Sequence, residues 1–125
     1  MSELTPQEVL KKYEEATNSH VFENVSELIA EDAVYYFSDK TVKGKESLKQ
    51  YFEETFDTIR DEVYTIRDVN WIALSETVAV CIYRFHWEGN IEGHPREGNG
   101  RGTNVFHRFD QGWKVVHEHL STLDS

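Results

Sequence analysis

The sequence is poor in several residue types, and each shortage excludes something. The one cysteine, Cys81, cannot close an intrachain disulfide or found a cysteine-based zinc site. Its neighbours Ala79, Val80, Ile82 and Tyr83 are apolar, which fits a small core residue better than a nucleophile. With only two prolines and seven glycines in 125 residues, the chain shows no linker and no low-complexity segment. Basic residues are also few: 13 Lys and Arg against 23 Asp and Glu give a formal charge of -10. Binding nucleic acid by counterion release needs a basic footprint, and an anionic membrane surface repels such a chain. Neither is an expected partner. No run approaches the roughly 20 apolar residues of a membrane span, and no N-terminal stretch resembles a secretory signal. A soluble, cytoplasmic protein is the expectation.

Aromatic residues are plentiful, at 13%, and argue for a packed core. The length fits one domain spanning residues 1–125, long enough to bury about two-thirds of its unfolded surface without staples. The charge is uneven. Residues 1–62 carry fifteen acids and seven bases, whereas residues 63–125 carry eight and six. The acidic half reads as solvated helix faces, and the near-neutral half is where buried polar chemistry can sit.

Thr5-Pro6-Gln7-Glu8 is a capping box with proline at the first helical position. Val9, Leu10, Tyr13, Ala16 and Thr17 follow at helical spacing. A short second helix carries Val25, Leu28 and Ile29, and residues 33–37 read as a strand. From Gly44, Leu48, Tyr51, Phe52, Phe56 and Ile59 form one helical stripe. After residue 62 the pattern changes to strands over 62–72, 77–88, 101–109 and 113–121, with a polar glycine-containing loop over 89–100. Helices followed by a long antiparallel meander predict an α+β fold, a strongly curved sheet wrapped on the N-terminal helices.

The last hairpin predicts a register. Asp110-Gln111-Gly112 reads as a three-residue loop that sets Phe109 opposite Trp113. Asn104 then lies opposite Glu118, Val105 opposite His117, Thr103 opposite His119 and Phe106 opposite Val116. Asn104, Phe106, Val116, Glu118 and Leu120 share one face. Val105, His107, Trp113, Val115, His117 and His119 share the other.

The segments Gly100-Arg101-Gly102-Thr103-Asn104-Val105-Phe106-His107-Arg108-Phe109 and Gly112-Trp113-Lys114-Val115-Val116-His117-Glu118-His119-Leu120-Ser121 carry a resemblance. So do Gly93-His94-Pro95-Arg96 and Arg84. Together they resemble the SnoaL-like branch of the nuclear transport factor 2-like superfamily, and especially the association domain of calcium/calmodulin-dependent kinase II. The resemblance implies a cone-shaped α+β barrel whose helices cover the concave face of a curved sheet around a deep pocket, and a convex face that commonly dimerises. It implies that Arg84 points into the pocket and binds carboxylates. Further cationic positions of that pocket fall on Asn104 and Leu120, and a histidine falls on or near Leu48, so they do not carry over. Against ketosteroid isomerases of the same fold, Tyr13 matches the oxyanion tyrosine. The base position falls near Phe37, with Asp39 two residues away, and that chemistry is not supported.

These readings define the candidate site. If Arg84 faces the pocket, Val80, Ile82 and His86 face it too. Arg84, Asn104 and Glu118 then form a polar floor with His86 nearer the rim; the alternative is an Arg84–Glu118 salt bridge that only ties strands together. Glu118, His86 and Asp39 are the candidate bases, although Asp39 also reads as an exposed turn residue. Tyr35 and Tyr51, and less strongly Tyr36, Phe52, Phe56 and Trp71, are either pocket walls or core. His117 and His119 form a His-x-His pair without a third ligand at metal spacing, so no metal and no cofactor is expected. Tyr83, Phe85 and Trp87, with Val105, Trp113 and Val115, would form an apolar convex patch suited to a homodimer. The expected function is binding of a small molecule, a carboxylate or a polar-apolar metabolite. A cofactor-independent acid–base enzyme (isomerase, dehydratase or hydrolase-like) and a non-catalytic association domain are the alternatives.

Overall fold

A computed structural model describes residues 3–123. Helix α1 (Pro6–Asn18) starts at the capping box: Glu8 N–H donates to Thr5 Oγ1 at 3.1 Å, and Thr5 N–H donates to Glu8 Oε1 at 2.9 Å. Its apolar stripe, Val9, Leu10, Tyr13 and Ala16, is buried. Helix α2 (Phe22–Ser26) is one short turn, and Leu28 is left in the turn that follows it. Ile29 begins strand β1 (Ile29–Tyr36), which pairs with the short β2 (Thr41–Lys43). Helix α3 (Lys45–Thr58) follows Gly44, whose φ of 85° suits glycine.

Four long strands complete the chain: β3 (Arg60–Leu74), β4 (Val78–Ile91), β5 (His94–Phe109) and β6 (Gly112–Thr122). The sheet order is β2-β1-β6-β5-β4-β3. The expected meander is there, and β1 adds a parallel pairing with β6 that sequence periodicity does not announce. The buried core lies between the three helices and one face of this sheet.

The segment expected as a glycine loop is strand. Glu92 and Gly93, both at positive φ, make a two-residue turn of the hairpin type, and β4 and β5 pair without interruption from Ile91↔His94 to Val78↔His107. Gly98, Gly100 and Gly102 stand opposite Trp87, Phe85 and Tyr83 in that ladder. A Cβ on any of these glycines would overlap the ring facing it. The glycines therefore let three aromatic rings lie against the β5 backbone.

That ladder also fixes which face is which. Cys81, Tyr83 and Phe85 are buried on the helix side, with Trp87 half-buried beside them. Arg84 and Ile82 point the other way and are exposed. The expected assignment of β4 is thus inverted. On β5 and β6 the pairs Asn104↔Glu118, Val105↔His117 and Thr103↔His119 occur as expected. Nearer the turn they do not: Phe109 pairs with Gly112 and Phe106 with Val115, with a register shift between Val105 and Phe106. The shift turns Trp113 and Val115 inward, where both are buried. Of the outer patch expected from Tyr83, Phe85, Trp87, Val105, Trp113 and Val115, Val105 alone lies on the outer face; the other five belong to the inner face, so the patch does not exist.

Strand β3 is a sheet edge, a place where unpaired backbone groups invite other strands. Here α1 covers part of it with side chains. Asn18 accepts from Tyr64 N–H at 2.7 Å and donates to Tyr64 C=O at 2.8 Å. Glu14 accepts from Ile66 N–H at 2.6 Å. Just past the helix, His20 Nε2 donates to Glu62 C=O at 2.8 Å, since a carbonyl can only accept.

Candidate functional site

Between the helices and the concave sheet lies a cavity of about 280 Å³. Its walls are largely aromatic: Phe37, Tyr51, Phe52 and Phe56 from the helical half, and Tyr64, Phe85 and Trp87 from the sheet. Tyr51 stacks on Phe37 with ring centroids 3.9 Å apart and donates to exposed Asp39 at 3.1 Å. Burial and that carboxylate together raise the Tyr51 hydroxyl above its ordinary value.

The deep polar element is Glu118, only 3% exposed. The β5–β6 register sets it beside Asn104, which donates to Glu118 Oε1 at 3.2 Å. Asn104 in turn accepts from the Tyr83 hydroxyl at 2.9 Å. The hydroxyls of Tyr13 and Tyr35 are 2.8 Å apart. Burial is the dominant influence on Glu118 and pushes its carboxyl up to about 7; Tyr13, Asn104 and Tyr83 act in the opposite direction. The buried hydroxyls of Tyr13, Tyr35, Tyr64 and Tyr83 are all raised, first by desolvation and next by the Glu118 charge. They stay protonated and act as donors. No buried side-chain polar atom among the described residues lacks a partner. A carboxyl that titrates near neutrality at the wall of an apolar cavity can give or take a proton in ordinary solution.

The sequence-based candidates divide. Glu118 and Asn104 meet as expected, and Tyr51 and Asp39 line the cavity. Tyr35 is buried behind the wall, where its hydroxyl meets that of Tyr13 and its ring packs against Phe37 and Phe52. Arg84 does not point into the cone. It lies on the outer face opposite Arg101, because the glycine–aromatic ladder assigns the inner face to its neighbours Tyr83 and Phe85. The Arg84–Glu118 bridge is excluded for the same reason. His86 shares that outer face, with Nδ1 2.8 Å from Asn99 Oδ1 and Nε2 3.7 Å from Glu88. Phe52 and Phe56 line the cavity, whereas Tyr36 and Trp71 do not.

Glu62, Tyr64, Phe85 and Trp87 are pocket residues that sequence reasoning misses. The signal for the last two is the two-residue period of Gly98, Gly100 and Gly102 against Tyr83, Phe85 and Trp87. For Glu62 no sequence signal exists, because a register shift between Arg60 and Val63 sets its direction. Cys81 is fully buried, and desolvation pushes its thiol up to about 12, so it packs rather than reacts. His117 Nδ1 donates to Val34 C=O at 2.7 Å, and Tyr36 meets His117 and His119 edge-on. No group of three or more His, Cys, Asp or Glu able to hold a metal occurs among the described residues. Nor is any helix among them long and apolar enough to cross a membrane.

Comparison with known proteins follows the same line. A solved nuclear transport factor 2-like superfamily protein from Salmonella enterica serovar Typhimurium superposes with a TM-score of 0.87 at 15% identity, over 94% of this chain and 88% of that one. A Xanthomonas campestris chain provisionally named a calcium/calmodulin dependent protein kinase II association domain superposes with a TM-score of 0.82 at 18% identity, over 100% and 96%. A Nostoc punctiforme protein of unknown function with a cystatin-like fold gives 0.81 at 16%, over 99% and 97%. At these identities the likeness is one of fold. No curated protein sequence matches the chain. The family model of the SnoaL-like domain matches residues 7–125. The chain therefore belongs to the SnoaL-like family and has the nuclear transport factor 2-like fold.

Proposed function

We propose that the chain binds a small, largely apolar molecule inside the cone and transfers a proton on it through Glu118, without a cofactor. The observation that carries this reading is one buried carboxyl, raised to about 7, at the wall of an aromatic cavity. Near neutrality Glu118 is present in both protonation states. It can remove a proton from one atom of the ligand and return it to another, leaving no net oxidation. Charge that develops on a ligand oxygen needs a hydrogen-bond donor. Tyr13 lines the same cavity, and its hydroxyl can receive from Tyr35 while donating onward. This role replaces the one expected of Arg84.

The test combines binding and exchange. Thermal-shift screening with small cyclic ketones and lactones finds a ligand, and Leu120→Trp, which fills the cavity, removes the hit. In D2O the wild type then exchanges an acidic C–H of that ligand, followed by NMR, and Glu118→Gln does not. Exchange that survives Glu118→Gln would overturn the catalytic half. Binding indifferent to Leu120→Trp would overturn the site.

A second reading, association with another copy of the chain, rests on a different observation. The β3–β4 end of the sheet exposes Val69, Ile72, Leu74, Val78 and Ile82. Val78 and Ile82 share the outer face of β4, and so many exposed large apolar side chains at one end of a sheet are unusual on a monomer. Sedimentation at micromolar concentration decides it: a dimer that Ile72→Lys dissociates supports association, and a monomer rejects it.

A further inference from the structure

Among the described residues the cavity is lined by the carboxyl groups of Asp39, Glu62 and Glu118 and by no Lys, Arg or His; the nearest lysine described, Lys40, sits over the Tyr51 ring at 5.3 Å. Glu62 is the unexpected member. It is 8% exposed, while its neighbour Val63 is 50% exposed, the reverse of the partition that burial of apolar surface favours. The cause lies in β3. Arg60 pairs with Asn90 but Val63 with Glu88, so one extra residue is inserted, and Asp61 takes a left-handed φ of 55°. This bulge and His20, bonded to the Glu62 carbonyl, hold Glu62 on the inner face beside Tyr64.

Unlike Glu118, which has Asn104, the Glu62 carboxylate has no hydrogen-bond or salt-bridge partner among the described residues. Its oxygens keep some contact with solvent in the cavity, and burial still raises it above its ordinary value because the charged form loses water there. A chain that sets an acid inward and a valine outward, on a bulge, violates local preference at a point best explained by a ligand. The surrounding walls suit the same ligand, because the faces of Tyr64, Phe85 and Trp87 attract positive charge.

We propose that the cavity selects a small organic cation, a protonated amine on an apolar body, with the ammonium at Glu62 and the body against the aromatic walls. The proposal rests on the cavity being a binding site and adds the class of its ligand. It also reverses the expectation of a carboxylate, which depended on Arg84 facing inward.

The experiment compares three probes of one shape, phenethylamine, 2-phenylethanol and 3-phenylpropionate, by calorimetry on the full chain and on Glu62→Gln. The amine should bind the wild type at least about tenfold more tightly than the alcohol, the value of one charge-assisted hydrogen bond, with the carboxylate weakest. Glu62→Gln should erase that preference and leave the alcohol unchanged. Should the variant fail to fold, the amine-to-alcohol ratio on the wild type still decides. Alcohol binding as tight as amine binding, or a preference that survives Glu62→Gln, overturns the cation assignment and leaves the cavity reading intact. Absence of binding by all three overturns the cation assignment as well. The cavity reading falls separately, if Leu120→Trp fails to remove the thermal-shift hit.

Discussion

Replacing Glu118 by glutamine should make the protein more stable, by an amount that depends on pH in a defined way. The folded state raises this carboxyl from 4.5 to about 7, chiefly by burial. The folded protein therefore holds the proton more tightly than the unfolded chain. The stabilising contribution of the protonated form is complete below about 4.5 and is lost as pH rises through about 7. A rise of that size corresponds to about 3 kcal/mol, with most of the loss falling between about pH 5 and pH 8. Glutamine keeps an oxygen that can accept from Asn104 and never ionises. Urea unfolding of wild type and Glu118→Gln at a series of pH values should give curves that converge near pH 5. By pH 8 they should separate by about 2 to 3 kcal/mol in favour of the variant, or roughly 10 °C in melting temperature for a chain of this length. Glu62, raised by burial and opposed by His20, tilts both curves in the same direction and cancels in the difference. Tyr13 from α1, Tyr35 from β1, Tyr64 from β3, Tyr83 and Cys81 from β4 and Asn104 from β5 surround Glu118. None of them titrates in this window. A difference that stays flat with pH, or a folded-state carboxyl signal titrating near 4.5, would refute the reasoning.

Other perturbations have equally definite outcomes. If Glu118 acts as a base, the rate of proton exchange on a bound ligand should rise with pH through about 7 and then level, because only the carboxylate accepts a proton. Tyr13→Phe should cost about 1–3 kcal/mol by stranding the Tyr35 hydroxyl, and the double variant Tyr13→Phe/Tyr35→Phe should recover part of it in a double-mutant cycle. Gly100→Ala should destabilise by about 1–3 kcal/mol in urea unfolding, since the added methyl meets the Phe85 ring and the Ser121 carbonyl. Arg84→Ala should leave cavity binding intact and change stability by less than about 0.5 kcal/mol, as expected for an exposed side chain on the outer face.

How much of this was legible depended on whether the local pattern had one solution. Asn104 meets Glu118 only because the β6 bulge offsets the one-residue difference at the turn, whereas the capping box of α1 did have one, fixed by side-chain chemistry. Strand β4 did not. In Val78-Ala79-Val80-Cys81-Ile82-Tyr83-Arg84-Phe85 both faces are apolar, so alternation cannot choose between them. Taken as a pocket group, Arg84 points to the wrong face. The deciding information lay across the ladder, in glycines that only make sense beneath rings. Trp113 and Val115 differ from expectation for another reason: a bulge changes the parity of everything between it and the turn, and no residue type announces it. The bulge at Asp61 hid Glu62 in the same way.

The coverage of the β3 edge by α1 has a consequence for motion. The amides of Tyr64 and Ile66 are bonded to side chains of a helix. Their hydrogen exchange thus clocks how often that helix lifts away, at a cost below that of global unfolding. Since Tyr13 and Thr17 of α1 line the same cavity as Glu62 and Tyr64 of β3, a ligand that touches both elements holds the helix against the edge and slows those two amides in particular.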